Sequence, residues 1–281
     1  MEQLIRLEIL AAEDAAEAVS TVLTLQVDFG WEEEDLPTGE TRFRVHCEEA
    51  ELADQLEKAL GALSGEVDVQ RTTVEKQDWT SAWREFFTPV VCGNFVVLPP
   101  WLKNDPAAQG RTPIFIEPKS AFGTGHHATT ALCLQVISSL LASGRVHAGQ
   151  HFLDLGTGSG VLSIACCLSG LQGIGTDIDQ LAVENAQENC ALNAVSGLEI
   201  LLGSTETVRG TTFDLVVANI LAQPLMDLAQ DLVALRGQGG ALVLSGLLEI
   251  QADSVEAAYT ALGLPAARRL VDGEWCALVW E

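Results

Sequence analysis

From Phe152 to Ala165 the chain reads FLDLGTGSGVLSIA. A short apolar run enters a loop with glycines at 156, 158 and 160, and an apolar helical run follows. A strand that feeds a helix through such a turn begins a β-α-β unit, whose strands are parallel because the chain must cross back before pairing. Glycines at this turn let the backbone come close to a ligand. Their spacing is G-x-G-x-G, not the G-x-G-x-x-G of the dinucleotide fingerprint, and no G-K-[ST] follows as a phosphate-binding NTPase loop requires. Asp177 lies 21 residues after Gly156, at the end of the next strand-like run, GIGTDI. A carboxylate there can accept hydrogen bonds from both hydroxyls of a ribose. The combination predicts a nucleoside ligand at the carboxyl edge of a parallel sheet.

The rest of the second half keeps this rhythm. PIFIEP, HFLDLG, GIGTDI, LEILLG, FDLVVANI and GALVLSGL read as strands, with helices expected over 126–142, 159–169, 180–193, 222–235 and 250–262. ARRLVDG and EWCALVW would add an antiparallel hairpin at one edge. Asp179 is placed to cap the helix of DQLAVENAQEN. Asn219 ends FDLVVAN above the point where the strand order reverses, and it is followed by Ile220, Leu221 and Ala222. No aromatic directly follows it to stack on a flat ligand.

Residues 1–75 follow another pattern. QLIRLEIL, TLQVDFGWEE, ETRFRVHC and EVDVQRTTVE read as strands, AAEDAAEAVSTVL and EAELADQLEKALGAL as helices. The order β-α-β-β-α-β predicts a ferredoxin-like α+β domain, a fold that by itself implies no function. Residues 76–112 read as a linker and interdomain segment, in which Trp79, Trp83, Phe86 and Phe87 recur at helical spacing and suit core packing. Residues 113–281 form the α/β domain. A length of 281 residues accommodates two such domains. Seven cysteines without a C-x-x-C pair suit reduced thiols in a cytosol-like compartment. Residues 155–176 carry no charge, but their glycines, serines and threonines read as turns and not as a membrane span. The net charge is −24, and residues 1–75, with 19 acidic and five basic residues, carry −14 of it. Such a surface repels nucleic acid and anionic membranes and attracts basic partners.

The stretches AFGTGHHATT, DLGTGSGVLSIA, GTDID and VVANILAQPL, together with DWTSAWREFF and EWCALV, resemble the ribosomal protein L11 methyltransferase family. The resemblance covers residues 76–281 at motif level and the N-terminal domain more loosely. It implies a Rossmann-like class I methyltransferase fold and S-adenosylmethionine as cofactor. It also implies methylation of lysine side chains and the α-amino group of a basic ribosomal protein recognised by the N-terminal domain. Carried over by motif, the cofactor contacts are Thr130, Gly156, Gly158, Asp177 and Asn219, with Phe122, Gly123, Thr124 and Gly125 as a covering loop. Asn219 is also the expected catalytic residue, orienting the amine. The family pattern F-G-T-G-T-H-P-T-T is altered here to FGTGHHATT, with His126 for threonine and Ala128 for proline. His127 matches the family histidine, as a site-lining or a core residue. Adjacent histidines without a carboxylate or cysteine at ligand spacing give no metal site.

The expected activity is therefore S-adenosylmethionine-dependent protein N-methylation in the cytoplasm. Free ribosomal protein is the expected partner, without direct contact to nucleic acid or membrane. The competing readings are methylation of another protein or a small amine, and a non-catalytic module that keeps the cofactor fold.

Overall fold

The computed structural model describes residues 3–27, 31–36, 38–47, 50–61, 63, 67–75, 87–117 and 127–281. The chain divides into two compact units, Met1–Phe86 and Phe87–Glu281.

In the first unit β1 (Gln3–Ala11), α1 (Glu13–Gln26), β2 (Glu32–Asp35), β3 (Thr41–Cys47), α2 (Ala50–Leu60) and β4 (Val67–Glu75) follow one another. The strand order is β2-β3-β1-β4, and every pair is antiparallel. Alternate residues of β3, Phe43 and Val45 among them, are buried with Leu7 and Ile9 of β1 against Leu23, Leu56 and Leu60 of the helices. One face of the sheet thus makes the core. Arg42, Arg44 and Glu8 alternate with those core residues. The strand expected over TLQVDFGWEE is shorter than its sequence suggests. α1 runs through Gln26, because Leu23 and Val27 are buried one helical turn apart and the Val27 N–H donates to the Leu23 carbonyl at 2.9 Å.

The second unit opens with a small sheet, β5 (Val90–Cys92), β6 (Phe95–Leu98) and β7 (Thr112–Phe115). Much of the segment read as a linker is therefore ordered secondary structure within this unit, since Phe95, Val97 and Ile114 enter its core. Residues 76–86, including Trp79, Trp83 and Phe86, lie outside the described residues. The large sheet comprises β8 (His151–Leu155), β9 (Gln172–Asp177), β10 (Leu198–Leu202), β11 (Phe213–Asn219), β12 (Arg236–Leu248), β13 (Arg268–Asp272) and β14 (Trp275–Trp280). Its order is β10-β9-β8-β11-β12-β14-β13. The first five are parallel, and β14 and β13 add the antiparallel edge.

Helices cover both faces. Phe152, Leu215, Val217 and Val243 pack with α3 (Ala128–Ala142) and α4 (Val161–Leu168). Leu153, Val216, Leu242 and Leu278 pack with α6 (Ala222–Asp227), α7 (Ala229–Leu235) and α8 (Ala252–Thr260). Neighbours along one strand serve opposite cores, which explains the unbroken apolar runs. Each fully buried side chain of this kind contributes about 1.5–3 kcal/mol. α5 (Gln180–Leu192) follows β9, and the Asp179 side chain caps it by accepting from the Leu181 N–H. The single helix expected over 222–235 is two, joined at Leu228. Among the described residues no helix is long and apolar enough to cross a membrane.

Candidate active site

Reversal of strand order between β8 and β11 opens a crevice at the carboxyl ends of the parallel strands. A cavity of about 510 Å³ occupies it. Thr130, Gly156, Gly158, Asp177 and Asn219, all named from sequence, line this one cavity. Phe122, Gly123, Thr124 and Gly125 lie outside the described residues, as does His126.

The glycine loop is held from below and from the side. The N–H groups of Gly156 and Thr157 both donate to the Thr176 carbonyl, at 2.8 and 2.9 Å. Gly156 has φ +73°, and a Cβ there would stand 2.3 Å from Cγ2 of Ile220. Gly246, at φ +87°, lies against the Ile220 backbone from the other side, where a Cβ would stand 2.2 Å from its carbonyl oxygen. The residue after Asn219 is thereby seated between two glycines that nothing larger can replace in place.

Asp154, absent from the sequence-derived site, organises the loop from within. One of its oxygens accepts from the Thr157 hydroxyl at 2.8 Å, the Ser163 hydroxyl at 2.7 Å and the Ser163 N–H at 3.0 Å. The other oxygen is buried without a partner. Burial pushes this carboxyl above the usual carboxylate range, against the opposing pull of its Ser163 and Thr157 bonds.

Asp177 is arranged differently. Its two oxygens accept from the Gly158 N–H at 2.9 Å and the Asp179 N–H at 3.0 Å. Each oxygen keeps further acceptor capacity towards the cavity. Asn219 donates from Nδ2 to the Thr130 hydroxyl oxygen at 3.3 Å, and its Oδ1 is buried without a partner. In this orientation of the amide the contact to Thr130 leaves a carbonyl acceptor to spare.

The His127 ring Nδ1 accepts from the Thr129 N–H at 3.3 Å and lies 2.8 Å from its hydroxyl, capping α3. That cap places the proton of the neutral ring on Nε2. His127 lines the cavity and meets Trp275 at 4.5 Å between ring centroids, with the rings 68° apart. Trp275 also lines the cavity. The sequence shows no aromatic directly after Asn219, but the fold supplies one from the last strand, 56 residues on. Asn189, fully buried on α5, ties two parts of the site together. Its Nδ2 donates to the Ser159 carbonyl at 2.9 Å, and its Oδ1 accepts from the Glu117 N–H at 3.0 Å.

These features fit S-adenosylmethionine. The loop has no cation for a phosphate, and the carboxylate suits a ribose. Asn219 Oδ1 offers a buried acceptor for an N–H.

Comparison with known proteins agrees. Residues 7–281 match the family model described as ribosomal protein L11 methyltransferase (PrmA). A protein of that name from Myxococcus xanthus is 38% identical over 276 residues, 94% of this chain and 93% of the relative. Another, from Sinorhizobium fredii, is 40% identical over 81% of this chain and 79% of its own length. The crystal structure of the ribosomal protein L11 methylase from Lactobacillus delbrueckii subsp. bulgaricus superimposes with a TM-score of 0.62 at 29% identity. That match covers 69% of this chain and 97% of the other. With this match over nearly its whole length, and with a nucleoside cavity built on a class I sheet, the chain belongs to the ribosomal protein L11 methyltransferase family.

Proposed function

We propose that this chain is an S-adenosylmethionine-dependent N-methyltransferase of ribosomal protein L11, with lysine side chains and the α-amino group as acceptors. The observation that carries the reading is the convergence of Asp177, the glycine loop and the Thr130–Asn219 pair on one cavity in a chain of this family. Bound S-adenosylmethionine supplies a methyl group on a sulfonium, an electrophile that needs no further activation.

The protein's part is positioning. Asp177 accepts from the ribose hydroxyls, and the backbone at Gly156 and Gly158 borders the cofactor closely. Asn219, oriented by Thr130, accepts an N–H of the entering amine through Oδ1 and so aims the nitrogen lone pair. The amine must be neutral to react. At pH 7 that costs about 4.6 kcal/mol for a lysine and about 1–1.4 kcal/mol for an α-amine. Asp177 is the carboxylate among the described lining residues, and it stands two strands away from Asn219. Desolvation of the entering ammonium favours its neutral form.

The first unit recognises the protein substrate, and its acidic surface favours free, basic L11 over L11 covered by RNA on the ribosome. The setting is cytoplasmic, with no nucleic acid or membrane partner. Incubation with labelled S-adenosylmethionine and total ribosomal proteins should label L11. Label on another protein or a small amine, or none despite cofactor binding, would replace this reading.

A further inference from the structure

We propose that Trp275 is the acceptor-binding wall of the site, an indole surface that receives the alkyl amine, and that its aromaticity sets the preference for that acceptor. The inference rests on the reading above that the acceptor is an aliphatic amine.

The strand order gives each lining residue a place along the crevice. Asp177 ends β9, Asn219 ends β11 and Trp275 begins β14, so Asn219 is two strands from each. At about 4.8 Å per strand, β9 and β14 lie roughly 19 Å apart across the sheet with β11 between them. The ribose carboxylate holds one end of the crevice, which leaves the Trp275 end for the second reactant.

The cavity walls suit an alkyl chain. Ile220, Leu221, Pro224 and Gly246 line the cavity together with Trp275, and Leu221 is 72% exposed, available to an incoming molecule. None of these is a carboxylate. A carboxylate would bind the ammonium by stabilising its proton and would oppose the deprotonation that the reaction needs. An indole offers an apolar face for the methylene stem, and it holds the incoming ammonium more weakly than a carboxylate would, so it opposes the deprotonation less, with tryptophan the strongest of the aromatic faces. The ring is also pre-set. It meets His127, whose own orientation is fixed by Thr129. Its backbone is registered against Leu248 on β12, and the Glu249 N–H donates to the Glu274 carbonyl beside it at 2.8 Å.

The test compares Trp275→Phe with Trp275→Leu in the full chain. It measures kcat and KM with L11, and affinity for S-adenosylhomocysteine by calorimetry. The leucine variant should lose about three- to thirtyfold in kcat/KM for L11. The phenylalanine variant should retain most of it, and both should bind S-adenosylhomocysteine like the wild type, which also shows that the site has folded. Wild-type kcat/KM in the leucine variant would overturn the proposal. So would equal losses in both variants, which would indicate shape alone, or a fall in S-adenosylhomocysteine affinity in step with activity, which would put Trp275 on the cofactor side. If the wild type labels another amine in place of L11, the substrate reading fails by itself, and the same comparison with that amine decides the role of Trp275.

Discussion

Two aspartates 23 positions apart do opposite work, and the difference lies in what surrounds them. Asp177 faces the cavity and shares its oxygens between two backbone N–H groups and open space. Asp177→Ala should weaken S-adenosylmethionine binding by about 1.5–3 kcal/mol, more than tenfold in Kd, in a chain that still folds. Unchanged affinity by calorimetry would remove the ribose assignment. Asp154 is sealed in, with three donors on one oxygen and none on the other. Asp154→Ala strands those donors and should destabilise by on the order of 3 kcal/mol. Asp154→Asn keeps an acceptor for them and removes the charge. The folded carboxyl titrates above its unfolded value, so the wild type is relatively most stable below that unfolded value, near pH 4, and loses stability as pH rises through the folded pKa. The stability gap should therefore widen in favour of Asp154→Asn as pH rises from about 4. Parallel denaturation curves at every pH would show that burial leaves this carboxyl unshifted.

Elements, more than single residues, decide how much of the site can be read from the chain. β8, its glycine loop, α4 and β9 are contiguous in sequence, so the loop, Asp177 and the Asp179 cap were all legible there. Asn219 was legible because it closes an apolar strand. Trp275 was not, because only the antiparallel pairing of β14 with β12 carries it back to the crevice. The strand expected over TLQVDFGWEE is shortened for a related reason: Val27 belongs to an alternating run but also lies one helical turn after Leu23, and the helix extends to Gln26 with both of them buried. Asn189 was also invisible, since a lone asparagine inside a helix carries no local signal for its tertiary partners. Its neighbour one turn on, Asn193, accepts from the Phe115 N–H at 2.8 Å and donates to the Phe115 carbonyl at 2.6 Å, without reaching the glycine loop. Both Asn189→Ala and Asn193→Ala leave backbone groups that are at least partly buried without their partners and should each cost on the order of 1–2 kcal/mol of stability. Only Asn189→Ala should also weaken S-adenosylhomocysteine binding, because only it releases Ser159. Equal affinities in the two variants would reduce Asn189 to a structural tie.

At the scale of the whole chain the dominant quantity is charge. Residues 1–75 carry −14 of a total of −24. Within the first unit the arginines are largely answered internally. Arg44 pairs with Glu8 and Glu32, Arg42 with Glu34, and Arg71 with Asp54 and Glu57. Exposed pairs of this kind add little to stability, but they leave the acidic excess as the field a partner meets. A basic ribosomal protein should be drawn to that field and oriented by it before any close contact forms. Screening over about 8 Å at physiological salt weakens such attraction between exposed charges. The cofactor cavity, in contrast, is lined mainly by apolar groups, and its one described carboxylate accepts hydrogen bonds without forming an ion pair. Raising the salt concentration should therefore lower kcat/KM for L11 steeply while S-adenosylmethionine affinity barely changes. The same field repels RNA, so free L11 should be methylated faster than L11 in assembled ribosomes. Kinetics at two salt concentrations with both forms of the substrate check the two consequences together. A flat salt response would mean that the acidic unit guides nothing and serves solubility, and a preference for assembled ribosomes would mean that recognition overrides the field.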